Sequence, residues 1–199
     1  MSVYQKALDQ ILENLNSLQK SLEEFVGYNV ISHISHRIKS PESIIAKMKK
    51  KHYEINYNNL IQKINDVAGI RVICTFKNDI SLLKNIIQEM PNVKIIKEKD
   101  YMKHPKKSGY YAYHIVLEVP VEFHEQFLPV KVEIQIRTMA MDFWSTTEHK
   151  IRYKGDSNLS FFDSKKMSWY AKLLNILDTN ISKIYEKQRK KNPEQIITR

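Results

Sequence analysis

A single cysteine in 199 residues excludes an internal disulfide, and four glycines leave no room for a glycine-rich phosphate loop. Cys74 stands inside the apolar run 70–76, where a small buried hydrophobe is the expected role rather than a nucleophile. Neither GxxxxGK[ST] nor GxGxxG occurs, so phosphate would have to be held by side chains. No apolar run reaches membrane-spanning length, and residues 1–22 form an acid-containing amphipathic pattern with no secretory apolar block. These absences fit an expected place in a reducing cytoplasm. Of seven histidines only His33 and His36 stand close together, with no cysteine beside them, which argues against zinc.

What is present is positive charge. Lys and Arg number 32 against 22 Asp and Glu, a formal net charge of +10, which suits nucleotides, RNA or DNA as company. Hydrophobic residues make up 42%, enough for one domain with its own core. The expected division is an N-terminal helix over 1–29, a core over 30–153, and a C-terminal helix with a basic tail over 154–199, all in one compact unit.

Leu8, Ile11, Leu12, Leu15, Leu18 and Leu22 recur at helical period and predict a helix over 2–25, with Ser2 and Gln5 at capping-box spacing. A strand is expected over 30–39, then a helix to 51 that starts on Ser40 and Pro41. A short helix (58–64), a strand (68–76), a helix (79–90) and a strand (93–97) follow. Two strands separated by a loop (111–121 and 129–137) lead to helices over 139–153 and 164–190, and the tail from 187 is expected to fray. This order predicts an α/β fold with one mixed sheet of about five strands wrapped by helices.

The stretch KVEIQIRT, residues 131–138, alternates faces: Val132, Ile134 and Ile136 suit a core, while Lys131, Glu133, Gln135 and Arg137 line the other side. Arg37 and Lys39 share a strand face, and Ser43 and Lys47 are spaced i, i+4 on the next helix, a plausible phosphate cradle. On pattern alone the same residues also suit a wet strand and a solvated basic helix. Asp66 stands before the strand AGIRVIC, which carries Arg71. The loop KDYMKHPKKSGY sets Lys106 and Tyr110 together, an aromatic able to stack on a base among lysines that hold phosphate, or an ordinary exposed loop. Asp66 and Glu133, carboxylates among cations, suit a magnesium ion shared with substrate phosphates.

The segments HRIKSPESIIAKMKKK, DVAGIRVICTF, KDYMKHPKKSGY, His114, VKVEIQIRT and AMDFWSTTEHKIRYK occur in the order and spacing of RelA/SpoT-type pyrophosphokinases, and the chain resembles a small alarmone synthetase. The resemblance runs over about 30–153 and implies a nucleotidyltransferase-like synthetase fold. It also implies transfer of pyrophosphate from ATP to a ribose 3′-hydroxyl, most readily of a guanine nucleotide, with AMP released. Larger relatives add a hydrolase domain with a His-Asp dipeptide that this sequence lacks, so synthesis without degradation is expected.

Carried onto matching positions, the resemblance implies that Arg37 and Arg71 sandwich adenine, and that Lys39, Ser43 and Lys47 bind phosphate. It makes Asp66 and Glu133 the Mg²⁺ carboxylates, with Glu133 also the base. Tyr110 stacks on the acceptor base, with Lys106, His114, Gln135 and Arg137 around the acceptor and phosphates. The sequence departs from the family where Tyr111-Ala112 replaces a polar pair, and where Asp142 replaces an asparagine of some relatives. A second aromatic beside the acceptor would suit the 3′ end of tRNA, the substrate of toxin members, which would bring an antitoxin partner. A third reading is a non-catalytic relative that binds RNA. The last helix either pairs with copies of itself in a homo-oligomer or caps the sheet.

Overall fold

The computed structural model describes residues 2–153 and 159–191. Its elements are α1 (Ser2–Val26), β1 (Ile31–Ile38), α2 (Pro41–Lys50), α3 (Tyr57–Lys63), β2 (Ala68–Cys74), α4 (Lys77–Gln88), β3 (Lys94–Asp100), β4 (Tyr113–Phe123), β5 (Gln126–Thr138), α5 (Met139–Tyr153) and α6 (Phe161–Lys191). The strands form one five-stranded sheet in the order β1-β2-β5-β4-β3. Only β2 and β5 pair in parallel. The mixed α/β sheet expected from the sequence is what the chain adopts.

The two faces of the sheet differ as the alternation in β5 requires. Val132, Ile134 and Ile136 of β5, Ala68, Ile70 and Val72 of β2, and Ile115, Leu117 and Val119 of β4 are buried on one face. The apolar stripe of α1 closes that face with Leu8, Ile11 and Leu15, all fully buried, and α4 adds Ile80, Leu83 and Ile87. Cys74 is fully buried among them, as a small hydrophobe. The other face carries the polar residues.

Local chemistry sets several boundaries differently from the sequence pattern. The Asp79 carboxylate accepts the Phe76 N–H at 2.8 Å, so α4 begins at Lys77 and Asp79 sits in its first turn. Strands β4 and β5 pair without a break through Pro120 and Pro129 to a tight turn at His124-Glu125. Both turn residues have positive φ (48° and 60°), which matches the twist of a two-residue hairpin, so the expected loop is instead a long hairpin. Strand β3 runs on to Asp100. The α2 start is as expected: Ser40 Oγ accepts from the Ser43 N–H at 3.3 Å and Pro41 opens the helix. Gln5 donates to Asp9 at 2.7 Å rather than to a cap, and the Ser2 side chain lies outside the described residues. Helix α6 continues through Lys191, so 187–191 are helical where fraying was expected; 192–199 lie outside the described residues. Among the described residues no helix is long and apolar enough to cross a membrane.

Candidate active site

Strand register gathers the polar face into rows. Arg37 pairs with Gly69, Gly69 with Glu133, and Glu133 with Val116. One step along, Ser35, Arg71, Gln135 and His114 are neighbours in the same way. Adjacent strands lie about 4.8 Å apart, so side chains from four strands meet within one nucleotide's breadth. Two cavities open on this face. The first, about 240 Å³, is lined by Ser35, Arg37, Asp66, Gly69, Arg71, Glu133 and Gln135 among others. The second, about 180 Å³, has Lys47, Lys51, Lys63, Lys97 and Lys99 around it together with Tyr53 and His114. Asp66 and Glu133 line both cavities and are their common wall.

Asp66 follows α3, at the entrance to β2. Lys39 Nζ lies 2.6 Å from its Oδ2 and Lys47 Nζ 2.7 Å from its Oδ1. The Lys47 contact is an ion pair set off the hydrogen-bonding direction, and Oδ1 is buried without a hydrogen bond. Burial works to raise the Asp66 pKa, but the two ammoniums outweigh it and hold the carboxyl below its ordinary value. Glu133 follows the same pattern. Its burial is outweighed by His114 and Gln135, so it too is held below the usual carboxylate range, with Asp66 acting in the opposite direction.

A hydrogen-bonded chain extends from Glu133. Gln135 Nε2 donates to Glu133 Oε2 at 2.8 Å, and Arg137 Nη2 donates both to Gln135 Oε1 and to the Tyr110 oxygen at 2.8 Å. The Tyr110 oxygen lies 2.7 Å from His114 Nε2, and His114 Nδ1 lies 3.4 Å from Glu133 Oε1. Arg137 has only donors, so the Tyr110 oxygen accepts there. His114 thus stands with Nε2 against the Tyr110 oxygen and Nδ1 toward Glu133. Arg137 Nη1 donates to Asp142 Oδ1 at 2.9 Å, and Arg71 Nη1 lies 3.2 Å from the same oxygen.

The structure therefore brings together Arg37, Lys47, Asp66, Arg71, His114, Glu133 and Gln135 at the cavities, with Lys39 paired to Asp66 and with Tyr110 and Arg137 bonded behind them. Ser43 stands apart, exposed on the first turn of α2 with its hydroxyl 3.1 Å from that of Ser40. Tyr110 is almost wholly buried, with Lys106 Nζ 4.5 Å from its ring centroid and the Arg137 guanidinium at 5.3 Å. Tyr101 meets both Tyr110 and His114 edge-on. Tyr111 does not add an aromatic to this face. It lines a small recess with Met141, Trp144, Ala171 and Leu174, and Ala112 is fully buried. Tyr113 points to the opposite side of β4 from His114, where its hydroxyl donates to Glu98. Sequence reasoning missed Tyr101, the lysines of the second cavity beyond Lys47, and the part played by Asp142. Lys97 and Lys99 had a signal in their i, i+2 spacing on β3.

Paired carboxylates held ionised among arginines and lysines, on the open face of a mixed sheet, define an enzyme that handles nucleotide phosphates. The chain belongs to the RelA/SpoT family: the profile described as a region found in RelA/SpoT proteins matches residues 36–158. It is 37% identical over 176 residues to the GTP pyrophosphokinase YwaC of Bacillus subtilis, covering 88% of this chain and 84% of that one. The crystal structure of small alarmone synthetase 1 from Bacillus subtilis bound to its product pppGpp superposes with a TM-score of 0.85 at 29% identity, covering 93% of this chain and 94% of the other. The same synthetase bound to AMPCPP gives a TM-score of 0.78 at 26% identity, over 95% of each chain.

Proposed function

We propose that this chain transfers the β,γ-pyrophosphate of ATP to the 3′-hydroxyl of GDP or GTP in the cytoplasm, forming a guanosine alarmone and releasing AMP. The observation that carries this is the pair of cavities that meet at Asp66 and Glu133, one flanked by two arginines and the other ringed by lysines. A relative of the same fold has been solved bound to its product pppGpp and bound to AMPCPP, a methylene analogue of ATP.

In this reading Arg37 and Arg71 hold the adenine, while Lys39 and Lys47 take the donor phosphates; Ser43, which stands apart on α2, joins them only if the phosphates reach that helix. Tyr110, Lys106, His114, Gln135 and Arg137 position the acceptor. Lys106 covers one face of the Tyr110 ring, so a stacked base takes its place there. The 3′-oxygen attacks the β-phosphorus in line, the bond to the AMP oxygen breaks, and the hydroxyl proton passes to Glu133. His114 N–H and Gln135 hold the Glu133 carboxylate in the orientation that receives it. The rest of catalysis is positioning and neutralisation by the surrounding cations.

Asp66 and Glu133 also fit a magnesium ion. Both offer hard oxygen donors, Asp66 Oδ1 is buried without a hydrogen bond, and two carboxylates completed by phosphate oxygens and water is the usual way this ion is held. When bound it would neutralise charge developing on the transferred group.

The tRNA 3′ end, with an antitoxin partner, is the competing acceptor on charge grounds, but Tyr111 under α6 withdraws the second stacking aromatic that favoured it. Homo-oligomer formation through the exposed apolar side chains of α6, among them Trp169, Ile176 and Ile181, belongs to the same proposal and is read by light scattering. Incubation with labelled ATP, Mg²⁺ and GDP, GTP or deacylated tRNA tests the whole. Label in a guanine nucleotide with release of AMP is expected. Label only in tRNA sinks the alarmone reading, and no AMP at all supports a non-catalytic RNA-binding protein.

A further inference from the structure

The Asp142 carboxylate stands between two like charges carried by neighbouring strands. Its Oδ1 is shared between Arg71 of β2, at 3.2 Å, and Arg137 of β5, at 2.9 Å. Burial lowers the pKa of the Arg71 guanidinium, and the nearby charge of Arg137 lowers it further while Asp142 works against both. The two guanidiniums are thus held close by one anion. Each also has a buried Nε–H with no hydrogen bond, so neither arginine is fully satisfied by the protein alone. Arg137 is anchored on its other side by Tyr110 and Gln135, whereas Arg71 has more than a third of its side chain exposed and faces the first cavity. Asp142 itself has little freedom. It sits in the first turn of α5, which follows β5 directly, and that turn is fixed by the Thr138 hydroxyl, which accepts the Met141 N–H at 3.2 Å.

We propose that Asp142 is a positioning residue that couples the donor pocket to the acceptor pocket, so that ATP bound at Arg71 tightens binding of the acceptor at Arg137. The proposal rests on the assignment of these two arginines to ATP and acceptor given above. When Arg71 turns onto the adenine it leaves Asp142, and the repulsion between the guanidiniums falls. The whole carboxylate charge then bears on Arg137, which is fixed against Tyr110 and Gln135. Because the coupling is a difference in free energy between two binding equilibria, the acceptor tightens ATP by the same factor.

The test is calorimetric binding of GDP to the full chain with and without saturating AMPCPP, in wild type and in Asp142→Asn, which keeps shape and removes charge. For wild type, AMPCPP is expected to lower the GDP dissociation constant by a factor within the usual allosteric range of about 5–150-fold. In Asp142→Asn the factor falls to about one, while each ligand alone still binds. Arg71→Lys, which cannot present the same fork of donors, is expected to reduce the factor as well and serves if the Asn variant does not fold. A purely structural role predicts weaker binding of both ligands with the ratio intact, and that outcome overturns the proposal, as does a wild type with no coupling. A wild type that binds AMPCPP but no GDP overturns instead the acceptor assignment on which the coupling rests.

Discussion

The Tyr110 hydroxyl stands between Arg137, which donates to it at 2.8 Å, and His114 Nε2, 2.7 Å away on its other side. Removing that one oxygen orphans a nearly buried guanidinium N–H and takes away the partner of His114 Nε2, so the imidazole that faces Glu133 loses its anchor. Tyr110→Phe keeps the ring and should cost about 1–3 kcal/mol, the penalty of leaving buried polar partners unmade. The loss should appear mainly in kcat. Tyr110→Ala should in addition weaken acceptor binding by about 1–3 kcal/mol of lost stacking, with ATP hardly affected. Steady-state kinetics with each substrate varied separates the two, and equal weakening of ATP would place Tyr110 in the wrong pocket.

Glu133→Ala and Asp66→Asn are each expected to abolish pyrophosphate transfer while leaving a folded protein, because both carboxylates stand at the junction of the cavities and not in the apolar core. The Asp66 variant should also loosen Lys39 and Lys47, whose ammoniums lose their counter-ion, so binding of ATP changes as well. Transfer of label from ATP at near wild-type rate in either variant would remove that residue from the chemistry. Circular dichroism and thermal melts confirm that loss of activity is not loss of fold.

The alternation of β5 makes the two faces of the sheet legible in the sequence alone: one strand states which residues are core and which are site, and a one-residue error in register would exchange them. The family motifs place Asp66, Arg71 and Glu133 on one face for the same reason. What is not legible comes from contacts between distant elements. Lys63, Lys97 and Lys99 meet around one cavity only because α3 and the edge strand β3 border the same part of the sheet's polar face. Arg137 and Asp142 are five residues apart across a strand-to-helix junction, a spacing that neither a strand nor a helix pattern reads. Tyr111 reads as a second stacking aromatic because its neighbour Tyr110 faces the site, but the direction of the chain between Gly109 and β4 is set by packing against α6.

pH dependence follows from the direction of the carboxylate shifts. Asp66 and Glu133 have pKa values depressed in the folded protein, so each contributes stability that is present above its unfolded pKa and lost as pH falls through the folded one. Transfer should therefore be insensitive to these groups near neutrality and fall only at pH values below the ordinary carboxylate range. Asp178 has the opposite sign. Its pKa is raised by burial, with the Thr138 hydroxyl donating to it at 2.8 Å and Lys77 opposing the rise. Its contribution is present below the unfolded pKa and is lost as pH rises through the folded value. Asp178→Asn, which still accepts from Thr138, should melt higher than wild type at neutral pH, with the difference shrinking in acid. A higher melting point for wild type at neutral pH would show that the Lys77 attraction outweighs the burial.

Gly109 carries the acceptor loop past α6, and two independent facts require a glycine there. Its φ is +80°, a region that costs an L-residue about 1–2 kcal/mol, and a Cβ added to it would stand 2.2 Å from the Cβ of Ala171 on α6. Gly109→Ala must push the loop off the helix, and Tyr110 is the next residue. The variant should lose stability by more than the backbone term alone and should bind the acceptor less tightly, with donor binding little changed. Ala171→Gly removes the atom that the new methyl meets, so the double variant should recover the steric part of both losses and retain only the backbone cost. Such non-additivity is expected of residues in contact and not of distant ones. Melting temperatures and acceptor KM for the four proteins of this cycle measure it. If the two substitutions simply add, α6 does not hold the Tyr110 loop in place.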